Sequence, residues 1–423
     1  MLSIYVELLL TIQNLYFDNF PFRYKLPIEY CQNKGSEIRL SSVKQRYDKI
    51  VSLFPVLLFA VATCQFIIVM YLRFHELHSP LGDVKMWGWI LMATISFSVL
   101  VFYTLWMLVY RRDAIFMLNE ILRYEEELRK DWDLTKHPNV KATHLEKACL
   151  NLFQRLVWTS YLFTPIGAAV TTYARIDSPL PVIELVFKTF PQSKKLLKFI
   201  SFNSEDFLSF YVFSFRVLGV SIFLYEAFRV FSFCLGLTIL VGKAVVSYLM
   251  SVSSLTDKYE PNIILRGFKL HLKIYKVLNI IFQSLEGIIK PTTSLGIVAA
   301  AVAISGSSFV VIRLHAVNKV YFTGFWGLIS FCGIILTEIT MDTLGDFNTK
   351  SIKLLRRFRK IEILVKMSGL RKKLYFKQLR VLKPISIPAG LGPARFSRIT
   401  QKVKTTILMY IFEVTVNLLI AFK

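Results

Sequence analysis

The stretch KVKTTILMYIFEVTVNLLIAFK, residues 402–423, decides how the rest of the chain is read. From Thr405 to Phe422 it is almost wholly apolar. That is close to the roughly 20 helical residues needed to cross about 30 Å of hydrocarbon. Its polar residues are not scattered. Lys402, Thr406, Tyr410, Glu413 and Asn417 recur every three or four positions, which at a helical turn of about 100° per residue puts them all within about 40° of Thr406. The far side carries Leu408, Ile411, Phe412, Thr415, Leu418, Leu419 and Phe422. Glu413 lies near the middle, where an ionised carboxylate costs on the order of 2.5–3.5 kcal/mol. Two arrangements relieve that cost. Several copies around an axis line a water path with rings of acid, amide and hydroxyl groups. Alternatively, the stripe makes hydrogen-bonded contact with a neighbouring helix, for which Arg216 and Arg229 are candidate partners.

Working back from this end, further apolar runs of spanning length occur at Ile50–Leu72, Met86–Tyr110, Leu152–Ala174, Pro291–Ile312 and Val320–Met341. Phe207–Leu249 is apolar but too long for one bilayer crossing. Dividing it needs a turn near Glu226–Arg229, and no Gly, Pro or Asn stands there. It reads as one long helix projecting beyond the membrane, giving seven spans. Composition agrees: of 423 residues, 54% are hydrophobic and only 19% charged, with 36 Phe. A soluble protein of this size cannot hide so much apolar surface. The expected fold is all-α: a seven-transmembrane helical membrane protein.

The net charge of +24 is unevenly distributed. Residues 1–49, 111–151, 250–289 and 342–404 hold 37 Lys and Arg, against 10 on the other side. Without the long 342–404 segment the ratio is still 20 to 10. This places the N-terminus in the cytoplasm and the C-terminus outside. G-protein-coupled receptors have the reverse arrangement. The basic surface then faces anionic lipid rather than nucleic acid. The chain divides into a cytoplasmic segment 1–49, spans with their loops over 50–341, a basic cytoplasmic segment 342–404, and a last span 405–423. No basic n-region precedes Leu2–Leu15, and Glu7 interrupts it, so it does not read as a signal peptide.

Three cytoplasmic stretches have helical apolar spacing: Ile115, Leu118, Ile121, Leu122 and Leu128; Tyr275, Leu278, Ile281, Phe282 and Leu285; and Leu354, Leu355, Phe358, Ile361 and Leu364. They can lie on the lipid surface or bury one another's apolar faces in a bundle. Glu226 and Arg229, spaced i, i+3, suit an ion pair. Glu338 and Asp342, at the cytoplasmic end of the sixth span, can face the basic segment that follows.

Catalytic chemistry has little to stand on. The six His include no HExxH, the five Cys no CxxC, and no phosphate loop or GxSxG occurs. Neither an enzyme, a metal nor a cofactor is indicated. Aromatic residues gather toward the external ends of the spans, as an interfacial belt does. Trp89, Tyr173, Phe223, Phe325 and Trp326, with the polar groups of Thr172 and Tyr225, would equally serve as walls of a small-molecule pocket.

The spans, the inside N-terminus and the long basic stretch before the last span resemble the arthropod chemoreceptor superfamily, most closely a gustatory receptor. The family's last helix carries Thr-Tyr, five apolar residues, then Gln-Phe. Here Thr415 matches the Thr, Val416 stands for the Tyr, Phe422 for the Gln and Lys423 for the Phe, and Asn417 interrupts the apolar five. The resemblance implies a ligand-gated, non-selective cation channel in the plasma membrane, a homotetramer or a heteromer with related subunits. Its ligand is a small-molecule tastant bound in the outer half of the helix bundle. An odorant receptor or co-receptor of the same superfamily is the near alternative, and a multi-pass transporter the distant one. The resemblance further implies a pore lined by the face of Thr415, Leu419 and Phe422, opposite the polar row, and a cytoplasmic anchor. Within that anchor the apolar side chains of Leu374 and Phe376 need burial by a neighbouring subunit.

Overall fold

The computed structural model describes residues 2–22, 24–32, 38–43, 46–76, 83–131, 144–177, 179–200, 204–258, 261–315, 320–360, 369–392 and 394–421. Among these residues, six helices are long and apolar enough to cross a membrane: Lys49–His75, Val84–Val109, Glu205–Met250, Glu286–Arg313, Thr323–Arg359 and Gln401–Ala421. The third expected span, Leu152–Ala174, is also helical, inside the 30-residue helix His144–Tyr173. Its hydroxyl residues, among them Thr159, Ser160, Thr164, Thr171 and Thr172, lower its hydropathy. Its outward side chains Trp158, Leu162, Phe163, Ile166 and Val170 are nevertheless all exposed and apolar, a surface suited to lipid.

In chain order the helices are α1 (Leu2–Gln13), α2 (Arg46–Val51), α3 (Phe54–Glu76), α4 (Val84–Phe102), α5 (Arg111–Asp131), α6 (His144–Tyr173), α7 (Pro179–Thr189), α8 (Pro191–Ile200), α9 (Glu205–Lys258), α10 (Pro261–Ser284), α11 (Glu286–Arg313), α12 (Val320–Lys360), α13 (Gly369–Val381) and α14 (Gln401–Ala421). Two π segments, Asn14–Asp18 and Tyr103–Val109, follow α1 and α4. Helix α9 is unbroken through Glu226–Arg229 for 54 residues, about 80 Å at 1.5 Å per residue. Helix α12 likewise continues past its apolar part to Lys360, so residues 342–360 extend the sixth span rather than begin a separate segment. Pro55 sits in the first turn of α3, where a missing N–H costs nothing, and α6 continues through Pro165. Neither proline breaks a helix in the way a transporter's midplane site requires.

The first 43 residues are more than a tail. Leu8, Leu9 and Ile12 of α1 are buried in the same core as Phe233 and Leu237 of α9. A Cβ at Gly236 would fall 2.9 Å from Ile12 Cδ1, so the glycine sets this close approach. A hairpin of β1 (Ile28–Gln32) and β2 (Ile38–Ser42) follows, with Ile28 opposite Ser42. Asn119 of α5 clamps its edge: Leu40 N–H donates to Asn119 Oδ1 at 2.8 Å, and Asn119 Nδ2 donates to Leu40 O at 2.9 Å. That closes an otherwise open strand edge.

Two of the three amphipathic stretches form one bundle, which α5 joins through Ile121, while Ile115 and Leu118 pack in the core of α1 and α9. Ile121 of α5, Tyr275, Leu278, Ile281 and Phe282 of α10, Leu285 between α10 and α11, and Leu354, Leu355 and Phe358 of α12 share a single buried cluster with Tyr375 and Leu379 of α13. Ile361 and Leu364 lie outside the described residues. At its centre Tyr275 Oη and Ser351 Oγ are 2.5 Å apart, Tyr275 donates to Lys383 O at 3.0 Å, and Ile385 N–H donates to Ser351 Oγ at 2.8 Å. Burial raises the Tyr275 hydroxyl to about 12, although its bond to Ser351 acts the other way. Strands β3 (Pro388–Leu391) and β4 (Ala394–Arg398) pair as a second hairpin beside α11, tied by Ser294 Oγ donating to Gly390 O at 3.1 Å.

Candidate ion path and ligand site

Among the described residues, helix α14 packs chiefly on α11 and α12. Its buried residues are Ile411 and Thr415, and Ser305 of α11 donates to Ile411 O at 3.1 Å. Leu418 and Leu419 pack against the cluster of Trp87, Phe309 and Trp326. At the helix base Lys404 pairs with Glu338 and lies 3.3 Å from Asp342, both on α12. Gln401 Nε2 donates to Asp342 at 3.3 Å and to Asp346 at 3.4 Å. Glu338 and Asp342, midway along α12, therefore do meet the basic segment, through Lys404.

This packing fixes the helix's rotation. Thr415 and Leu419 are turned into the protomer, and Thr415 Oγ1 donates to Ile411 O at 2.9 Å; neither faces an open path here, and Phe422 lies outside the described residues. Lys402, Thr406, Tyr410, Glu413 and Asn417 are all exposed along the opposite face, bordered by the exposed Met409, Phe412 and Ile420. Glu413 has neither an ion-pair nor a hydrogen-bond partner among the described residues. The arginines considered for it are engaged elsewhere. Arg216 is paired with Asp177 through Nε at 2.7 Å and Nη2 at 2.5 Å. Arg229 Nη1 lies 3.4 Å from Glu226 and its Nη2 donates to Tyr24 O at 2.9 Å.

The expected Glu226–Arg229 pair thus exists, but its setting was not anticipated. Both side chains are fully buried, and the N-terminal segment caps them. Tyr24 Oη donates to Glu226, and the Arg229 guanidinium lies 3.9 Å from the Phe20 ring centroid. Glu226 Oε2 and Arg229 Nε remain without partners.

The seven residues read as pocket walls do not converge. Trp89 is buried, with Nε1 donating to Ile176 O at 2.7 Å. Phe223 packs between Phe59 and Phe66. Tyr225 meets Phe20, Phe22 and Tyr161. Trp326 is buried in its own cluster while neighbouring Phe325 is exposed. Only Thr172 and Tyr173 line a common cavity, of about 440 Å3, between the end of α6, α7 and the start of α9. Arg175, Glu184 and Arg216 line it too, and the amphipathic α7 that helps enclose it, like α8 after it, was not foreseen, since both lie inside a stretch read as a loop. In α13, Phe376 is half-buried against the cluster of Tyr275 and Phe358 in the same chain, so this chain itself supplies part of the cover that a neighbouring subunit was expected to give. Leu374 is exposed, together with Leu370 and Val381.

By sequence, no family model and no curated protein matches this chain. By structure, two solved structures of one insect receptor are among those that match, over nearly their whole length. One is olfactory receptor OR5 of Machilis hrabei in complex with eugenol: TM-score 0.55, 11% identity, 99% of this chain and 97% of that one. The other is the same receptor described without eugenol, at TM-score 0.53 and 10% identity, covering 98% and 96%. At this identity the likeness is one of fold. The chain has the seven-helix fold of an insect olfactory receptor.

Proposed function

We propose that this chain is a chemoreceptor subunit of the insect kind, a ligand-gated cation channel opened by a small-molecule tastant or odorant. Its fold supports the class. The observation that carries the ion path is the row of Thr406, Tyr410, Glu413 and Asn417, exposed on the side of α14 away from α11 and α12. An unpartnered carboxylate in the middle of a span is tolerated where it meets water. Around a symmetry axis, four such faces make a ring of negative potential that draws cations. This favours the polar row over the Thr415 and Leu419 face.

Four copies fit the cytoplasmic surface as well. Leu370, Leu374 and Val381 of α13, with Leu391 and Phe396 of the β3–β4 hairpin, are exposed apolar residues on a strongly basic segment that cannot enter the bilayer. Burial against a neighbouring subunit satisfies them. The basic bias supports a cytoplasmic position for this end and the N-terminus, and the family resemblance a place in the plasma membrane.

Conductance in cells expressing the chain, alone and with a candidate co-receptor, tests the reading. Glu413→Gln keeps size and hydrogen bonding while removing charge, and is expected to lower cation conductance at normal surface expression. Absence of any current with the protein at the cell surface would overturn the channel reading. A Glu413→Gln loss confined to trafficking would overturn the pore role.

A further inference from the structure

Two cavities of opposite character meet at the end of the bundle that carries α7 and α8. The first, about 440 Å3, is polar, with Thr172, Arg175, Glu184 and Arg216 in its wall. The second, about 650 Å3, is lined by Pro165, Ile166, Ala169 and Val170 of α6 and is almost wholly apolar. Tyr173 and Phe213 belong to both, so the two form one continuous seam between α6 and α9.

The charges in the polar part are largely used up. Arg216 is held by Asp177, and Glu205 by Lys198 at 2.7 Å. Arg175 and Glu184 remain, one of each sign, without ion-pair partners among the described residues. The Thr172 hydroxyl is buried, at 1% exposure, and has no hydrogen-bond partner, a costly state unless something fills it. Arg175, the one described non-glycine residue with a positive φ, 57°, ends α6 as a left-handed cap, with Arg175 N–H donating to Thr172 O and Ile176 N–H to Thr171 O, both at 3.1 Å, and this holds it at the cavity's rim. The apolar part faces outward: Ile166, Val170 and Tyr173 are 57%, 49% and 82% exposed. Beside it, α7 and α8 mix exposed Leu185, Phe190, Leu196 and Phe199 with Lys188, Lys195 and Lys198, the composition of helices lying at headgroup depth.

We propose that this seam binds one zwitterionic phospholipid. Its acyl chain lies along the 165–170 groove. Its phosphate accepts hydrogen bonds from Arg175 and the Thr172 hydroxyl, and its quaternary ammonium faces Glu184. An anionic lipid sets negative charge against Glu184, and a soluble polar ligand leaves the groove unfilled.

Native mass spectrometry of the full-length, delipidated protein tests this, using an equimolar mixture of phosphatidylcholine and phosphatidylglycerol with identical chains. Both lipids offer Arg175 the same phosphate, so the single exposed contact of Glu184 with the quaternary ammonium sets the expected preference for phosphatidylcholine, about threefold. Glu184→Gln moves the ratio toward parity, and Ala169→Trp, which fills the groove, lowers retention of both lipids. Equal retention or a phosphatidylglycerol preference in the unaltered protein overturns the proposal and needs no variant to fold. So does an unchanged preference in Glu184→Gln, or full retention in Ala169→Trp. None of these readouts involves current, so they stand apart from the channel reading.

Discussion

Arg229→Met isolates the buried charge pair on α9. In the native protein Arg229 offsets Glu226, donates to Tyr24 O at 2.9 Å, and stacks over Phe20. Its loss leaves a carboxylate at 0% exposure with Tyr24 as its only donor among the described residues. Breaking such a pair from one side costs about 3–5 kcal/mol. With an unfolding entropy of about 2.1 cal/mol/K per residue, the whole chain changes by about 0.9 kcal/mol/K, so the thermal midpoint falls by about 3–6 °C. The pair is itself incompletely satisfied, since Glu226 Oε2 and Arg229 Nε have no partners. Replacing both residues by Met therefore removes two desolvated charges together, and is expected to recover most of the loss. Midpoints of detergent-solubilised protein, read by size-exclusion after heating, give the single and double variants on one scale. A double variant as damaged as the sum of the singles, or an Arg229→Met midpoint within 1 °C of the parent, would refute the reasoning.

Further outcomes follow from other contacts. Ser351→Ala strands the Ile385 N–H, while the Tyr275 hydroxyl keeps Lys383 O, so about 1–3 kcal/mol of stability is lost, read as a lower midpoint. Tyr275 titrates near 12 in the folded protein and near 10 unfolded, so its proton is held by the fold alone between those values. Its contribution is complete below pH 10 and lost as pH rises toward 12; Tyr275→Phe flattens part of that decline in a midpoint–pH series. Gly242→Val drives a side chain into α12, where a Cβ already falls 2.7 Å from Thr343 Cγ2; about 1–3 kcal/mol is lost, again as midpoint. If the proposed assembly forms through α13, Leu370→Lys with Leu374→Lys charges its exposed row and shifts the solubilised protein to smaller species, whereas an unchanged elution profile counts against that surface.

What could be read from the sequence was what depends on local periodicity. The α9 helix was legible because no turn residue interrupts Glu226–Arg229. The cytoplasmic bundle was legible because three apolar stripes needed cover. The partner of Arg216 was not, because Asp177 lies 39 residues away in a connection whose path no periodicity encodes. The same holds for Tyr24, which reaches Glu226 across 202 residues. Ring chemistry alone could not sort the aromatics. Trp89 and Phe223 look like pocket walls, yet both are core because their helices turn them inward. The rotation of α14 was likewise open until Ile411 and Thr415 were seen against α11, since both of its faces had a reason to meet an ion path.

That rotation is measured most directly by substituting Cys at each position from Thr405 to Ala421 and recording current during exposure to an aqueous thiol reagent. Modification that peaks at Thr406, Tyr410, Glu413 and Asn417, with Thr415 and Leu419 unreactive, is the expected result. Modification of Thr415 and Leu419 with the polar row silent, or reactivity with no helical period, would contradict it.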